Sequence, residues 1–192
     1  MLPRKRFHPS DHLSIGIDLN HSHGLKVGQM IFIGGQADIN AEAKVTRPGE
    51  MAVQTRMAMD GVKTVLEGLG ADAGDLVKLT GFYVLGDKPD EKLILDTMAE
   101  ALGALPGPGP AVTLVPIETN CFDGLSIEIE GIALRGHNGE RLARTSSWIP
   151  DGPDLPAPFS HAVRCGEMIF TSGQTAEDEA GAMQSPGSLA AQ

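Results

Sequence analysis

The chain has almost no cysteine, no long apolar run and little clustered positive charge, and each shortage closes off a class of protein. Two cysteines, Cys121 and Cys165, cannot build a disulfide framework, so a reduced, cytoplasmic setting is the expectation. No apolar run approaches the roughly 18 residues that cross a bilayer, so no membrane partner is expected. The opening MLPRKRFHPSDH is basic but lacks the apolar stretch that makes a secretory signal. A formal net charge of −10 argues against a nucleic-acid partner, whose backbone demands clustered lysine and arginine. Arg4-Lys5-Arg6 is the one basic cluster and is expected to be a solvated tail. At 192 residues, 41% hydrophobic and 21% charged, the composition is that of a soluble globular protein of one domain or one and a fraction.

The most informative stretch is Leu125–Leu134, LSIEIEGIAL. Leu125, Ile127 and Ile129 alternate with Ser126, Glu128 and Glu130, the period of a strand with one face in a core. Gly131 then shifts the apolar phase to Ile132 and Leu134, which predicts a β-bulge or a close backbone approach there. Bulges often adjoin functional sites, so Glu128 on the polar face is the first candidate for chemistry. Glu130, two residues on, is expected to be structural.

Residues 1–22 read as an N-terminal extension without periodicity. His8, His12, His21 and His23 crowd there, but no i, i+4 pair on a helix marks a metal site, and none is assigned. Lys26–Gln29 reads as a turn into a strand Met30–Ile33 that Gly34-Gly35 stops. Residues 36–48 follow as a strand or loop turning near Asn40. Pro48-Gly49-Glu50 opens a helix with an acidic first turn, and Thr55, Ala58, Met59, Val62, Val65, Leu66 and Leu69 form its buried stripe. Leu76–Val84 is the next strand, and Pro89 starts a second helix with Ile94, Met98, Ala101, Leu102 and Leu105 facing inward. Pro106 to Pro110 ends it, Ala111–Ile117 is a strand, and 118–124 is a loop. This order predicts an α+β domain over 23–135, a sheet with helices on one face. Residues 136–158 read as a linker with a short strand near Ser146–Ile149.

The last stretch, residues 159–192, contains a repeat. His161–Gln192 aligns without a gap on His23–Gln54 at a constant offset of 138 positions, sharing Gly28, Met30, Ile31, Phe32, Gly35 and Gln36, among others. It reads as an incomplete second copy of the first domain: first strands and the start of a helix. A lone hairpin and helix stub bury no core of their own. Either the chain comes from a two-domain protein cut short, or this tail docks on the first domain or on a neighbouring subunit.

KVGQMIFIGGQ, QTRMAMDGVKTVLEGLGADAGDLVKLTGFYV, PAVTLVPI and LSIEIEGIAL together resemble the reactive-intermediate deaminase family (RidA, also called YjgF) over about residues 20–135. PFSHAVRCGEMIFTSGQ resembles the family's opening again, as in a tandem member. The resemblance implies a chorismate-mutase-like fold, a mixed sheet with two helices on one face. It also implies a homotrimer with small-molecule clefts between subunits. Its well-studied branch hydrolyses reactive enamines and imines without a cofactor, and an endoribonuclease label is also attached to the family. In that branch an arginine clamps the substrate carboxylate and a glutamate on the last strand positions the water.

Carried over by motif, the glutamate is Glu128 and the turn glycine is Gly35. The motif arginine falls on Val112, beside Thr113, and the serine before the turn glycine is Gly34. The opening tyrosine falls on His21, whose imidazole is a candidate acid–base group. The cysteine two beyond the arginine falls on Leu114. Cys121, in the loop before the last strand, is a candidate substrate contact, with no neighbouring base in the sequence to make it a nucleophile. Neither Arg135 nor Lys78 can be assigned from the sequence as a replacement cation. The resemblance leaves three functions in view: enamine or imine hydrolysis, small-molecule binding without catalysis, and, least supported, RNA cleavage.

Overall fold

The computed structural model describes residues 2–9, 21–86, 90–150, 152, 154–177 and 182–191. Pro89 and His12 lie outside them. Six strands form one sheet in the order β1-β2-β3-β6-β4-β5: β1 Arg4–Phe7, β2 Gly24–Val27, β3 Met30–Gln36, β4 Leu76–Val84, β5 Ala111–Ile117 and β6 Ile127–Leu134. Only β4 and β5 run parallel; the other neighbours are antiparallel. Helix α1, Met51–Gly68, and helix α2, Glu91–Leu102, cover one face, giving the α+β architecture expected.

The helical stripes account for that packing. Ala58, Met59, Val62, Val65 and Leu66 are fully buried on α1, as are Ile94 and Met98 on α2. They meet Ile31, Leu79, Ile127 and Ile129 from the sheet. Each such side chain contributes about 1.5–3 kcal/mol by leaving water. Glu50 is the residue preceding α1 and makes no side-chain cap, so the first turn carries no acid. Asp90 does cap α2, accepting from the Leu93 N–H at 2.8 Å.

Arg4-Lys5-Arg6 is a strand and not a free tail. It pairs with β2, and Phe7 beyond it packs on Gly68, where any Cβ would strike the ring. Its basic side chains stay exposed because β1 is a sheet edge, while Lys5 Nζ reaches the Gly68 carbonyl at 2.7 Å. The turn before β3 is confined to Gly28-Gln29, with Gly28 at φ +60°.

Gly131 makes no bulge. β6 begins at Ile127, and Ile127, Ile129, Gly131 and Ala133 all face the helices. Gly131 is instead a point of close approach: a Cβ there would lie 3.1 Å from Leu79 Cδ2, 3.2 Å from the Lys78 carbonyl oxygen and 3.3 Å from Ile33 Cδ1. Ile132 and Leu134 are apolar because the opposite face is covered too at that end. Their partners are Val163, Cys165, Met168 and Phe170. The register breaks in β3, where Gly34 and Gly35 together oppose Glu130 between the pairs Ile33–Gly131 and Gln36–Ile129, and in β4, between the pairs Leu76–Ala133 and Lys78–Ile132.

The covering residues belong to a second sheet, β7 Arg144–Ser147, β8 Ala162–Cys165 and β9 Met168–Thr171. β7 starts two residues before the sequence expectation. The β8–β9 pairs, Ala162–Thr171 through Cys165–Met168, are the β2–β3 pairs displaced by 138 positions. The same displacement relates the turn glycines Gly28 and Gly166, both at φ +60°, and the bridges Ile39–Val45 and Glu177–Met183. Among the described residues the tail packs on the first domain, through the Ala111–Ser160 bridge and through Val163 and Cys165 against Val77 and Leu134.

Candidate functional site

Gly34 and Gly35 form the bulge that opens the candidate site. Gln36 is fully buried, and its Nε2 donates to the Gly34 and Gly35 carbonyls at 2.8 and 3.0 Å, locking the turn. The Gly34 N–H donates to the His23 carbonyl at 2.9 Å. Glu128 lies across from the turn, paired with Phe82 on β4. Its carboxylate rests directly on Gly35: a Cβ there would coincide with Oε1 and crowd Cδ and Cγ. The glycine at 35 thus makes room for the Glu128 carboxylate and does not answer to a backbone angle.

Burial, and then the nearby Glu130 charge, push the Glu128 carboxyl above its ordinary range. The loop before β6 brings Cys121 into this neighbourhood. Gln54 holds that loop, donating to the Gly124 carbonyl at 2.8 Å and accepting from the Ser126 N–H at 2.7 Å. The Cys121 thiol is raised first by burial and then by Glu128's charge, so it is poor in thiolate and sits within electrostatic reach of that carboxylate. Its Sγ contacts Asn120 Oδ1 at 3.3 Å.

His21 lies on the Gly34 side of the turn, next to Ser22 whose carbonyl faces Gly34. Its ring packs against those of His8 and His23, with centroids 5.8 and 5.2 Å away. Among the described residues no three His, Cys, Asp or Glu side chains are arranged to hold a metal ion. No helix of the described chain is long and apolar enough to cross a membrane.

Val112 and Thr113 belong to a different place. Val112 is buried; its N–H donates to Ser172 Oγ at 2.9 Å and its carbonyl accepts from the Gly173 N–H at 3.0 Å. Thr113 Oγ1 accepts from Lys78 Nζ, which also donates to the Thr171 carbonyl at 2.6 Å. Burial lowers the Lys78 pKa. Arg135 is held elsewhere, by Asp75 at 2.5 Å and Asp72 at 3.3 Å. Val112, Thr113, Ser172 and Gly173 line a cleft of about 840 Å³ between β5 and the tail.

The seven sequence candidates thus divide. Glu128 and Gly35 meet at the bulge with Gly34, Cys121 is within electrostatic reach of Glu128, and the His21 ring packs with His8 and His23. Val112 and Thr113 face the tail. Ser172 and Gly173 were missed as functional candidates, although the repeat marks them: they stand 138 positions after Gly34 and Gly35.

The arrangement at the bulge is a half-buried carboxylate with a raised pKa over a fixed backbone turn, a group suited to taking and returning a proton. Comparison with known proteins leads to the same region. The family model described as Endoribonuclease L-PSP matches residues 15–135. A RutC family protein of Pyrococcus abyssi is 32% identical over 115 residues, 60% of this chain and 86% of its own. The 2-iminobutanoate/2-iminopropanoate deaminase of Escherichia coli K12 is 32% identical over 112 residues, 58% of this chain and 84% of its own. The solved structure of the E. coli YjgF gene product superposes with a TM-score of 0.58 at 27% identity, covering 68% of this chain and 98% of that one. Glu128, the glycine turn and strands β2 to β6 all fall within the matched span, and the chain belongs to the endoribonuclease L-PSP family, the RidA/YjgF proteins.

Proposed function

We propose that the protein is a RidA-like deaminase that hydrolyses a small reactive enamine or imine, with Glu128 as its proton relay. The observation that carries this is the Glu128 carboxylate seated on Gly35 with its pKa raised by burial. In the imine reaction Glu128 takes a proton from water as the oxygen bonds to the imine carbon. It returns that proton to the nitrogen, giving a neutral carbinolamine. It then takes the adduct's hydroxyl proton and delivers it to the same nitrogen, so that the C–N bond breaks, ammonia leaves and the carbonyl forms. An imine carbon is already electrophilic, so holding the substrate and one water against this relay suffices. The reading includes a cytoplasmic homotrimer with the substrate cleft between subunits and no cofactor.

Val112 supplies no charge to a substrate carboxylate, so the substrate is neutral at that end or is met by a cation from an adjacent subunit. The test is direct. An amino-acid oxidase generates 2-iminobutanoate or 2-iminopropanoate, semicarbazide competes for it, and added protein accelerates its loss; Glu128→Gln abolishes the acceleration with the assembly intact. A Glu128→Gln variant at full rate removes Glu128 from the mechanism.

A second reading, a binder without catalysis, is favoured by the burial of Val112 and by the engagement of its N–H and carbonyl with the tail. No acceleration on these imines by a folded protein moves the assignment toward it or toward a different small substrate. RNA cleavage has the least support, since the net charge is −10.

A further inference from the structure

We propose that the Glu128 site selects an uncharged substrate, an imine or enamine bearing a carboxamide, ester or ketone in place of a carboxylate, and that the Asn120 amide donates to that carbonyl. This selectivity rests on Glu128 being the proton relay. Asn120 stands in the loop between β5 and β6, one residue before Cys121. Its Oδ1 accepts from the Cys121 N–H at 2.8 Å and from the Cys121 thiol at 3.3 Å. Those two donors fix the amide's orientation, because turning it over would set its amino group against an N–H. Nδ2 is left buried and without a hydrogen-bond partner among the described residues. A buried donor left unpaired is costly, and folded proteins keep few of them without a use. Gln54 pins the loop at Gly124 and Ser126, so the donor is held where it is.

The charges around the site disfavour a carboxylate. Glu128 and Glu130 share one face of β6, and Glu130 opposes the Gly34-Gly35 turn. Burial and the Glu130 charge act on the Glu128 carboxyl, and burial and the Glu128 charge act on the Cys121 thiol; among the described residues no cation acts on either. The candidate cations are committed elsewhere. Lys78 is held by Thr113 and the Thr171 carbonyl, and Arg135 by Asp72 and Asp75. Arg47, whose carbonyl shares the Gln54 amide with Gly124, donates to the Thr46 carbonyl at 2.9 Å. A substrate carboxylate would add negative charge to a half-buried place that holds no counter-ion. A carbonyl asks for one donor and no counter-ion, and Asn120 Nδ2 meets that need. Hydrolysis then takes up one water and releases one ammonia at the imine carbon, and the carboxamide passes through unaltered.

The probes are 2-oxobutanamide and 2-oxobutanoate, the ketones that the matching imines yield, alike in body and different in charge. Calorimetric titration of the full chain should show saturable binding of the amide, at least about tenfold tighter than the carboxylate. High salt should narrow the gap by screening the repulsion of the anion, with the amide unaffected. Asn120→Asp keeps the oxygen that the Cys121 N–H needs and replaces the donor with an acceptor. It should weaken the amide about threefold to tenfold, with melting recorded alongside to show that the loop is intact. Should that variant fold poorly, the comparison of the two probes on the unmodified protein still decides. Equal or tighter binding of 2-oxobutanoate, no saturable binding of the amide, or amide binding indifferent to Asn120→Asp overturns the inference. In turnover, 2-iminobutanoate is then a poorer substrate than its amide. The relay is judged separately, by the response of imine hydrolysis to Glu128→Gln, whereas the preference between the probes is a binding measurement that needs no turnover.

Discussion

Gly35→Ala separates a catalytic carboxylate from a decorative one. A Cβ at 35 would occupy the place of Glu128 Oε1. Restoring an ordinary carbon–oxygen contact of about 3.5 Å moves that oxygen by roughly 2 Å. The displaced atoms are the far end of a flexible side chain, and Gly35 is not in the left-handed region, so the fold should lose no more than about 1 kcal/mol. A reacting group misplaced by about an ångström already costs on the order of a hundredfold in rate, or about 2.7 kcal/mol of barrier. Gly34→Ala is the built-in control, because its new Cβ meets only the Ser22 and His23 carbonyls at 3.4 and 3.5 Å. The assay is imine loss under semicarbazide competition, with thermal melting alongside. Gly35→Ala should fall by about a hundredfold or more and melt near the parent, with Gly34→Ala within a few-fold of it. A Gly35→Ala variant that keeps full rate refutes the idea that the carboxylate works from its seat on Gly35.

Other outcomes follow from the same geometry. Glu128's charge helps to raise the Cys121 thiol, so Glu128→Gln should lower that pKa and speed Cys121 alkylation at pH 7–8, measured against pH; an unchanged profile means the two groups do not communicate. Glu128 must be ionised to accept the water's proton, so the acid limb of kcat/KM should lie above the ordinary glutamate range, and rates should rise with pH through it. The sign for stability is opposite: a carboxyl whose folded pKa is raised favours the fold when protonated, and that contribution is lost as pH rises through the folded value. Lys78→Met removes the donor to the Thr171 carbonyl and should loosen the tail, read as faster labelling of the buried Cys165. Ser172→Ala leaves the buried Val112 N–H without its acceptor and should cost about 1–3 kcal/mol in denaturant titration.

The helices and main strands were legible because their periods are set by one buried face each. The α1 stripe is buried at every position named from its spacing, and β5 spans Ala111–Ile117 as read. Reading failed where a second layer intervened. Ile132 and Leu134 looked like a phase shift at Gly131, but their apolar character answers to the tail sheet on the far face, which no local pattern reveals. The true bulge was hidden because Gly34-Gly35 resembles a strand terminator, while the strand continues to Gln36. β1 was invisible because an edge strand with exposed Arg4, Lys5 and Arg6 carries no apolar alternation. At the site, Glu128 was readable from strand polarity; its reliance on a missing Cβ at 35 was not, since that contact crosses between strands far apart in sequence.

The two hairpins raise a question of solubility. Ile31 and Ile169 sit at equivalent places in the same Met-Ile-Phe motif, yet Ile31 is wholly buried beneath the helices and Ile169 is 65% exposed. Sheet borders are where chains recruit one another into aggregates, and natural proteins blunt them with charge, brevity or cover. Here β1 carries three basic residues and β5 is overlaid by the tail, through the Ala111–Ser160 bridge. β9 is guarded chiefly by its length of four residues. Association at high concentration is therefore expected to start at β9, and not at the long sheet that carries Glu128.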